Sequence, residues 1–394
     1  MFAAPYCPSY YPRIRWQLKY RWRSFITWTN ETIDAELADL LARYGPKFQK
    51  NFSRTLMNSI PPFDAHFELT DIVRSDTSAV RARYPVLDEF HRKLGNTDLI
   101  EVPGHAGGAA IFAKLEWQNP VGSVKDRVGY ALLCDAMTKH GDRPLEELRI
   151  LEYSGGNLAS ALSSLCGELG IAACFVLSSS APESLLEKLR ERRAAVELVD
   201  RELGSYALVQ HALEMAAHDP AWTLLYQHRN TVNIDAHSQT TGAEIVTQLG
   251  ARVPAVWVAS IGTGGTLIGV ARTLATANPS LRVVGVTPAE SPYGSVEPPN
   301  GLPKYAGSGG MGNGVCQPFV HAYRHPIEHR HVSFTDSLKG MVEFRELTGT
   351  AIGTSAAANW LVAREVARDQ PCDATVVTLF PDAGTPEEWK QARS

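Results

Sequence analysis

The chain has 394 residues, enough for two α/β domains with sizeable cores. Apolar residues make up 44% and charged residues 20%, and the formal net charge is -4, a composition that suits a soluble globular protein and offers nucleic acid no bulk electrostatic attraction. No apolar run reaches membrane-span length, and the six scattered cysteines form no C-x-x-C pair, so a reducing compartment, the cytoplasm, is the expected location.

Residues 1–85 read as an N-terminal extension. Its start is basic (Arg13, Arg15, Lys19, Arg21, Arg23) and aromatic (Tyr6, Tyr10, Tyr11, Trp16, Tyr20, Trp22) and lacks the apolar core of a secretory signal. A helix is predicted over 32–41. The segment reads as an arm packed on the body or on a second subunit, with an arm that gates the substrate as the alternative.

From Val86 strands and helices alternate. Strands are predicted over 110–115, 148–152, 172–178 and 195–199, and helices over 125–137, 157–169, 182–192 and 205–217. A second alternation starts near His237, with helices over 242–249 and 266–275 and strands over 255–260 and 281–286. A long loop spans 290–317, then helices 337–348 and 355–368 and a last strand 374–380. Such alternation means βαβ units and parallel sheets. The expected fold is α/β, two parallel-sheet domains with a cleft between them. A first segment, 86–130, and a second, 235–394, form one domain, and 131–234 form the smaller one.

Three turns carry chemistry. In the first, Asn119-Pro120 and Gly122 precede Ser123, a fair N-cap, and place Lys125 in the first turn of a helix. The helix dipole there disfavours the charged amine, which is what an amine nucleophile requires. In the second, Ser260-Ile261-Gly262-Thr263-Gly264-Gly265-Thr266 leaves a strand and opens a helix. Its backbone N–H groups converge as in a phosphate cradle, though no Walker lysine is present. In the third, Ser154-Gly155-Gly156-Asn157 joins a strand to a helix and suits a carboxylate; the plainer role for Ser154 and Asn157 is turn and cap. An amine, a phosphate cradle and an anion-binding turn together suit pyridoxal 5'-phosphate and an amino acid.

These motifs resemble those of the fold-type-II pyridoxal phosphate enzymes, the cysteine synthase and cystathionine β-synthase family, whose fold is also that of tryptophan synthase β-like proteins. The resemblance rests on Lys114-Leu115-Glu116, Asn119-Pro120 and Gly122-Ser123-Val124-Lys125-Asp126-Arg127, on the 154–157 and 262–266 turns, on Gly95-Asn96-Thr97-Asp98-Leu99 and on Thr240-Thr241-Gly242-Ala243-Glu244-Ile245. It covers about 94–385. It implies that Lys125 is the Schiff-base lysine and that Gly262, Thr263, Gly264, Gly265 and Thr266 bind the cofactor phosphate. It implies that Asn157 bonds the ring hydroxyl, that Ser154, Gly155, Gly156 and Asn157 hold the substrate carboxylate with Gln227 nearby, and that Gly310 lines the cleft. Two departures stand out. Gly155 and Leu158 replace hydroxyl residues of the family's Thr-Ser-Gly-Asn-Thr loop. Ala383 stands where the family places a serine or threonine beside the pyridine nitrogen, so either Asp382 takes that part or no side chain does.

The implied activity is β-replacement on an activated serine-type amino acid, O-acetylserine or phosphoserine, through an aminoacrylate, with a nucleophilic co-substrate. Leu158, the space at Gly155 and the long extension point to a specialised nucleophile; the plainer alternative is that Leu158 packs its own helix. β-Elimination by a dehydratase or desulfhydrase is the rival reaction, and a degenerate binding partner the rival class. A homodimer is expected, with no nucleic acid or membrane partner. His321, His325, His329 and His331 could suit a metal by spacing, but Pro326 breaks any helix aligning them, and a solvated loop without metal is the expectation.

Overall fold

The computed structural model describes residues 69, 76–154, 156–295, 311, 312 and 314–394, within the unit Pro61–Ser394. The helix predicted over 32–41 and the basic, aromatic arm lie outside the described residues, as do Gly155 and Gly310.

Two short helices come first, α1 (Ser78–Arg83) and α2 (Pro85–Lys93), with Pro85 at a first-turn position that needs no N–H. Strands β1 (Leu99–Val102) and β2 (Ala110–Leu115) pair antiparallel, Leu99 opposite Lys114. Helix α3 (Lys125–His140) follows a turn in which Gly122 takes φ 101°. Next come β3 (Arg149–Tyr153), α4 (Asn157–Leu169), β4 (Ala172–Ser178) and α5 (Glu183–Glu191). Then follow β5 (Ala195–Val199), α6 (Ser205–His218) and β6 (Trp222–Leu224). These four strands form one parallel sheet in the order β5-β4-β3-β6.

Helix α7 (Val232–Ala236) runs into a π-helical turn, His237–Gly242, and on into α8 (Ala243–Leu249). After β7 (Pro254–Ser260), α9 (Gly265–Ala277) and β8 (Arg282–Pro288) come α10 (Pro318–Ala322) and β9 (Ile327–Val332). The chain closes with α11 (Phe334–Thr348), α12 (Thr354–Arg368), β10 (Thr375–Phe380) and α13 (Pro386–Ala392). Thr385 and Glu388 form a reciprocal capping box on α13.

The second sheet has six strands in the order β1-β2-β10-β7-β8-β9. All six residues of β10 are buried, as a strand covered on both faces must be. The small alanines 356, 357, 358 and 363 of α12 let that helix lie close on β10 and β7. Helices α2, α3 and α4 pack instead into the core of the four-stranded sheet, through Leu87, Phe90, Val128, Leu132, Leu158 and Leu162.

Two expectations need correction. The six-stranded sheet is not wholly parallel, because the loop from β1 to β2 is too short for a crossover helix and returns the chain antiparallel. The histidine stretch is not a solvated loop either. His329 and His331 lie on β9, parallel to β8, with His331 Nδ1 2.9 Å from Thr287 Oγ1 and the His329 ring 3.8 Å from that of Tyr293. Among the described residues no group of His, Cys, Asp and Glu could hold a metal. Among them, too, no helix is long and apolar enough to cross a membrane.

A buried ionic network ties β2, α3 and α8 together. Arg127 binds Glu116 through Nε and Nη2 at 2.7 and 2.8 Å, and Glu244 through Nη1 and Nη2 at 2.6 and 2.8 Å. Lys114 Nζ lies 2.7 Å from Glu244 and donates to Gln248 and to the Thr97 carbonyl. Burial by itself would raise Glu116 and Glu244, but the Arg127 guanidinium outweighs it and holds both below the usual carboxylate range. Arg127→Met leaves two buried carboxylates short of a cation and is expected to lower unfolding free energy by about 3–5 kcal/mol. In the wild type the depressed carboxylates contribute fully above their unfolded pKa of about 4.3 and lose that contribution as pH falls through their folded values. In the variant burial raises those values, so acidification should cost it less stability than it costs the wild type, and the gap between the two should narrow as pH falls; urea unfolding across pH 3 to 7 checks both points.

Candidate active site

Three strand ends deliver the residues singled out in the sequence. β2 leads through the turn 116–124 to Lys125, β3 leads to Ser154 and Asn157, and β7 leads to the glycine turn. The fourth, β10, lies between β2 and β7 and ends at Pro381 and Asp382. Open α/β sheets gather ligands at such carboxyl ends.

The turn before α3 is held from several sides. Asp126 accepts from the Val121 and Gly122 N–H groups at 2.6 and 3.2 Å, and Val124 N donates to the Pro381 carbonyl at 2.9 Å. The N-cap position is Val124 and not Ser123; the Ser123 hydroxyl instead accepts from Lys125 N at 3.2 Å. Burial pushes the Lys125 amine down to about 8. Burial, with the Lys125 charge behind it, also keeps two histidines neutral: His228, pushed down to about 3, and His237. The His228 ring lies 2.8 Å from the Tyr153 hydroxyl through Nδ1.

Two positions of the glycine turn exclude a side chain. Gly264 takes φ 86°, and a Cβ on it would press on Val320. A Cβ on Gly265 would collide with the Asn233 amide. Thr263 Oγ1 accepts from Gly265 N and from Asn233 Nδ2, both at 3.1 Å, so the threonine is turned into its own loop. Thr266 Oγ1 lies 3.1 Å from His237 Nε2, and His237 Nδ1 lies 3.0 Å from Thr241 Oγ1. Gly269 lets α9 approach α7 and the π-helical turn closely enough for this, since a Cβ there would meet the Ile234 carbonyl. The first-turn N–H groups of Thr266 and Leu267 have no acceptor within α9.

Asn157 and Asp382, far apart in sequence, meet: Asn157 Nδ2 donates to Asp382 Oδ2 at 2.7 Å, and Asp382 Oδ1 accepts from Gly384 N at 2.9 Å. The Ser154 hydroxyl accepts from Gly156 N and Ala159 N at 3.2 and 3.3 Å, which is a capping role at the start of α4. Gln227 is buried and donates from Nε2 to the Tyr153 carbonyl at 2.8 Å. Leu158 is buried in the core shared with α3. Asn233, His237 and Thr241 escaped the sequence reading. Their polar side chains recur every fourth residue along one helical stretch, a stripe that could have marked them.

A profile of the family described as "Pyridoxal-phosphate dependent enzyme" matches residues 91–382. The chain belongs to this family. Over 303 residues it is 27% identical to the "O-acetylserine dependent cystathionine beta-synthase" of Bacillus subtilis, covering 76% of this chain and 95% of that one. Over 209 residues it is 34% identical to the "N-(2-amino-2-carboxyethyl)-L-glutamate synthase" of Cupriavidus metallidurans, 51% of this chain and 60% of that one. The solved O-acetylserine dependent cystathionine beta-synthase of Helicobacter pylori matches with a TM-score of 0.67 at 27% identity, over 75% of this chain and 94% of that one.

This pyridoxal-phosphate dependent enzyme is of the cysteine synthase-like kind, and its cofactor is pyridoxal phosphate. The residues present fit that group. The glycine turn, packed on Val320 and Asn233 so closely that Gly264 and Gly265 admit no Cβ, leads into a helix N-terminus suited to a phosphate, and a lysine whose amine burial pushes down to about 8 is suited to an aldehyde. In the cofactor-free enzyme the neutral amine of Lys125 grows as pH rises through its depressed value. Its modification by an amine-directed reagent should follow a curve centred near pH 8, where a surface lysine gives about 10.4. Peptide mapping by mass spectrometry at graded pH reads this, and a midpoint above pH 10 contradicts it.

Proposed function

We propose that the enzyme replaces the β-substituent of an activated serine-type amino acid with a nucleophile bulkier than sulfide, an amine or a substituted thiol. The 34% identity to a synthase named for N-(2-amino-2-carboxyethyl)-L-glutamate carries this reading. Its product name describes a serine-derived three-carbon unit joined through Cβ to the nitrogen of glutamate. The O-acetylserine dependence in the name of the Bacillus subtilis relative supports an activated serine as donor.

When bound, pyridoxal phosphate supplies an electron-withdrawing aldehyde that acidifies the Cα–H of an attached amino acid. Lys125 would anchor that aldehyde and then, released as a neutral amine, take the Cα proton. Burial that holds the amine down to about 8 supplies a usable base near neutral pH. Gly262, Thr263, Gly264, Gly265 and Thr266 would hold the phosphate through backbone N–H groups, with His237 fixing the Thr266 hydroxyl. Asn157 would orient the ring through its hydroxyl, steadied by Asp382. Ser154, Gly155 and Gly156 would receive the substrate carboxylate ahead of α4, with Gln227 fixing the strand end behind them; the resemblance adds Gly310 as a cleft residue. Leu158 lends the bulkier nucleophile no support, because it packs in the core.

We assign residues 86–130 and 235–394 to the cofactor-binding part and 131–234 to the smaller substrate part, with 1–85 as the extension. The origin of the strands of each sheet supports this assignment. We also assign a homodimer as the working assembly, and light scattering giving a stable monomer mass would overturn that. Lys125→Ala is expected to lose both the visible cofactor absorbance and turnover. With O-acetylserine and phosphoserine as donors, amines such as glutamate and substituted thiols should give a higher kcat/KM than sulfide. A keto acid as the sole product with every nucleophile would establish elimination instead.

A further inference from the structure

Tyr153 and His228 form a pair to which the cofactor gives no task. Tyr153 ends β3, one residue before the 154–157 turn, and is buried. His228 comes shortly after β6, next to Gln227, and keeps part of its surface open. β3 and β6 are parallel neighbours, so both residues stand at adjacent carboxyl ends, where ligands gather. His228 Nδ1 lies 2.8 Å from the Tyr153 hydroxyl, and the two rings stack with centroids 5.3 Å apart and planes inclined by 12°.

The turn that presents His228 is strained and tightly held. Tyr226 takes φ 56°, a left-handed conformation that an aromatic residue rarely adopts. Its carbonyl accepts from Arg229 N and Asn230 N, each at 2.9 Å, and the buried Glu152 carboxylate accepts from Gln227 N at 3.3 Å. Gln227 is fixed at both ends, its Nε2 on the Tyr153 carbonyl at 2.8 Å and its own carbonyl by Asn233 Nδ2 at 2.9 Å. Strain that is over-determined in this way is found at functional sites. The charge of Lys125 reaches His228 and, behind burial, keeps its ring neutral, so ring and amine share one region of the site.

The pair also fixes a tautomer. The Tyr153 hydroxyl accepts from the backbone N–H of His228, which leaves its own proton to donate to Nδ1. The ring proton then sits on Nε2. We propose that His228 donates from Nε2 to the departing oxygen of the activated serine, with Tyr153 as the positioning residue that holds this tautomer. The Cβ–O bond breaks, both of its electrons stay with the oxygen, and acetate or phosphate leaves as its anion. The His228 proton remains on the ring, and its hydrogen bond strengthens as charge grows on the oxygen. The proposal rests on an activated serine as donor. It holds for replacement and elimination alike, because both need the same departure.

Two measurements test it. Ring 15N–1H spectra of the histidines, with His228 assigned through His228→Gln, should show its proton on Nε2, and Tyr153→Phe should mix the two tautomers. A wild-type proton on Nδ1 overturns the proposal. The second measurement compares O-acetylserine with β-chloroalanine, whose chloride is the weaker hydrogen-bond acceptor. His228→Phe should lower kcat/KM for O-acetylserine relative to β-chloroalanine by about 10- to 100-fold, the range of one hydrogen bond to a charged group, and His228→Gln, which keeps a donor, should recover much of that loss. A merely structural residue would lower both alike, so an unmoved ratio in His228→Phe overturns the proposal. If that variant does not fold, Tyr153→Phe decides: the ratio should move in the same direction, and mixed tautomers with an unmoved ratio overturn it. A wild type that releases neither acetate nor chloride refutes the activated-serine reading, and this proposal with it; release of both with an unmoved ratio refutes this proposal alone.

Discussion

The guanidinium of Arg127, gripped between Glu116 and Glu244, is the constraint on which the turn that bears Lys125 depends. Glu116 follows β2, Arg127 opens α3 and Glu244 lies on α8, so one side chain fastens three elements that the chain visits far apart. With Lys114 added, two cations face two anions in a place that water hardly reaches. Such a cluster gives little net stability, because removing the charges from water offsets most of their attraction. Its yield is position. Lys125 is two residues from Arg127, and a helix turn so fastened cannot slide along the sheet without breaking bidentate bonds.

A second set of contacts aligns the glycine turn with that lysine. The turn leaves β7, and its far side is fixed by Asn233 and His237 from the stretch before α8. That stretch runs on into α8, which bears Glu244, the partner of Arg127. The glycine turn and the lysine are thus braced to the same helical run, one through hydrogen bonds and one through charge. Asn157 and Asp382 close the remaining side by joining the end of β10 to the start of α4. The site sits where the two sheets meet, and each of its members is held by a neighbour from another strand end.

The buried parts of this arrangement were legible in the sequence. The runs 110–115, 172–178 and 195–199 are apolar, and the helix 157–169 is bounded by glycine turns; all four appear in the structure with the expected ends. Among the edge strands β5 was legible, because its run is mostly apolar, and the other three were not. β9 reads Ile-Glu-His-Arg-His-Val because it pairs on one side only and leaves most of its side chains partly exposed, so its periodicity is faint. β1 and β6 are too short to stand out from loops. In the site, Lys125, Asn157 and the glycine turn announced themselves because strand, glycine and helix succeed one another locally. Asn233 and His237 did not. Their polar stripe is a local signal, but their partners Thr263 and Thr266 lie about thirty residues away, which no local pattern encodes. Leu158 misled for a related reason: a residue after a glycine turn can face either the cleft or the core, and only the packing of α3 on α4 decides.

The π-helical turn at His237–Gly242 carries a consequence for how such a chain can vary. A π turn holds one residue more than the α turn it interrupts, and so rotates everything after it by about 100° relative to everything before. Asn233 and His237 lie before or at that widening, facing the glycine turn; Glu244 lies after it, facing Arg127. The extra residue sets the phase between the two tasks. Individual side chains on the outer face of this run are open to exchange, whereas its length is not. A single deletion here would leave every chemical group of the site in the chain and turn the two halves of the brace away from each other.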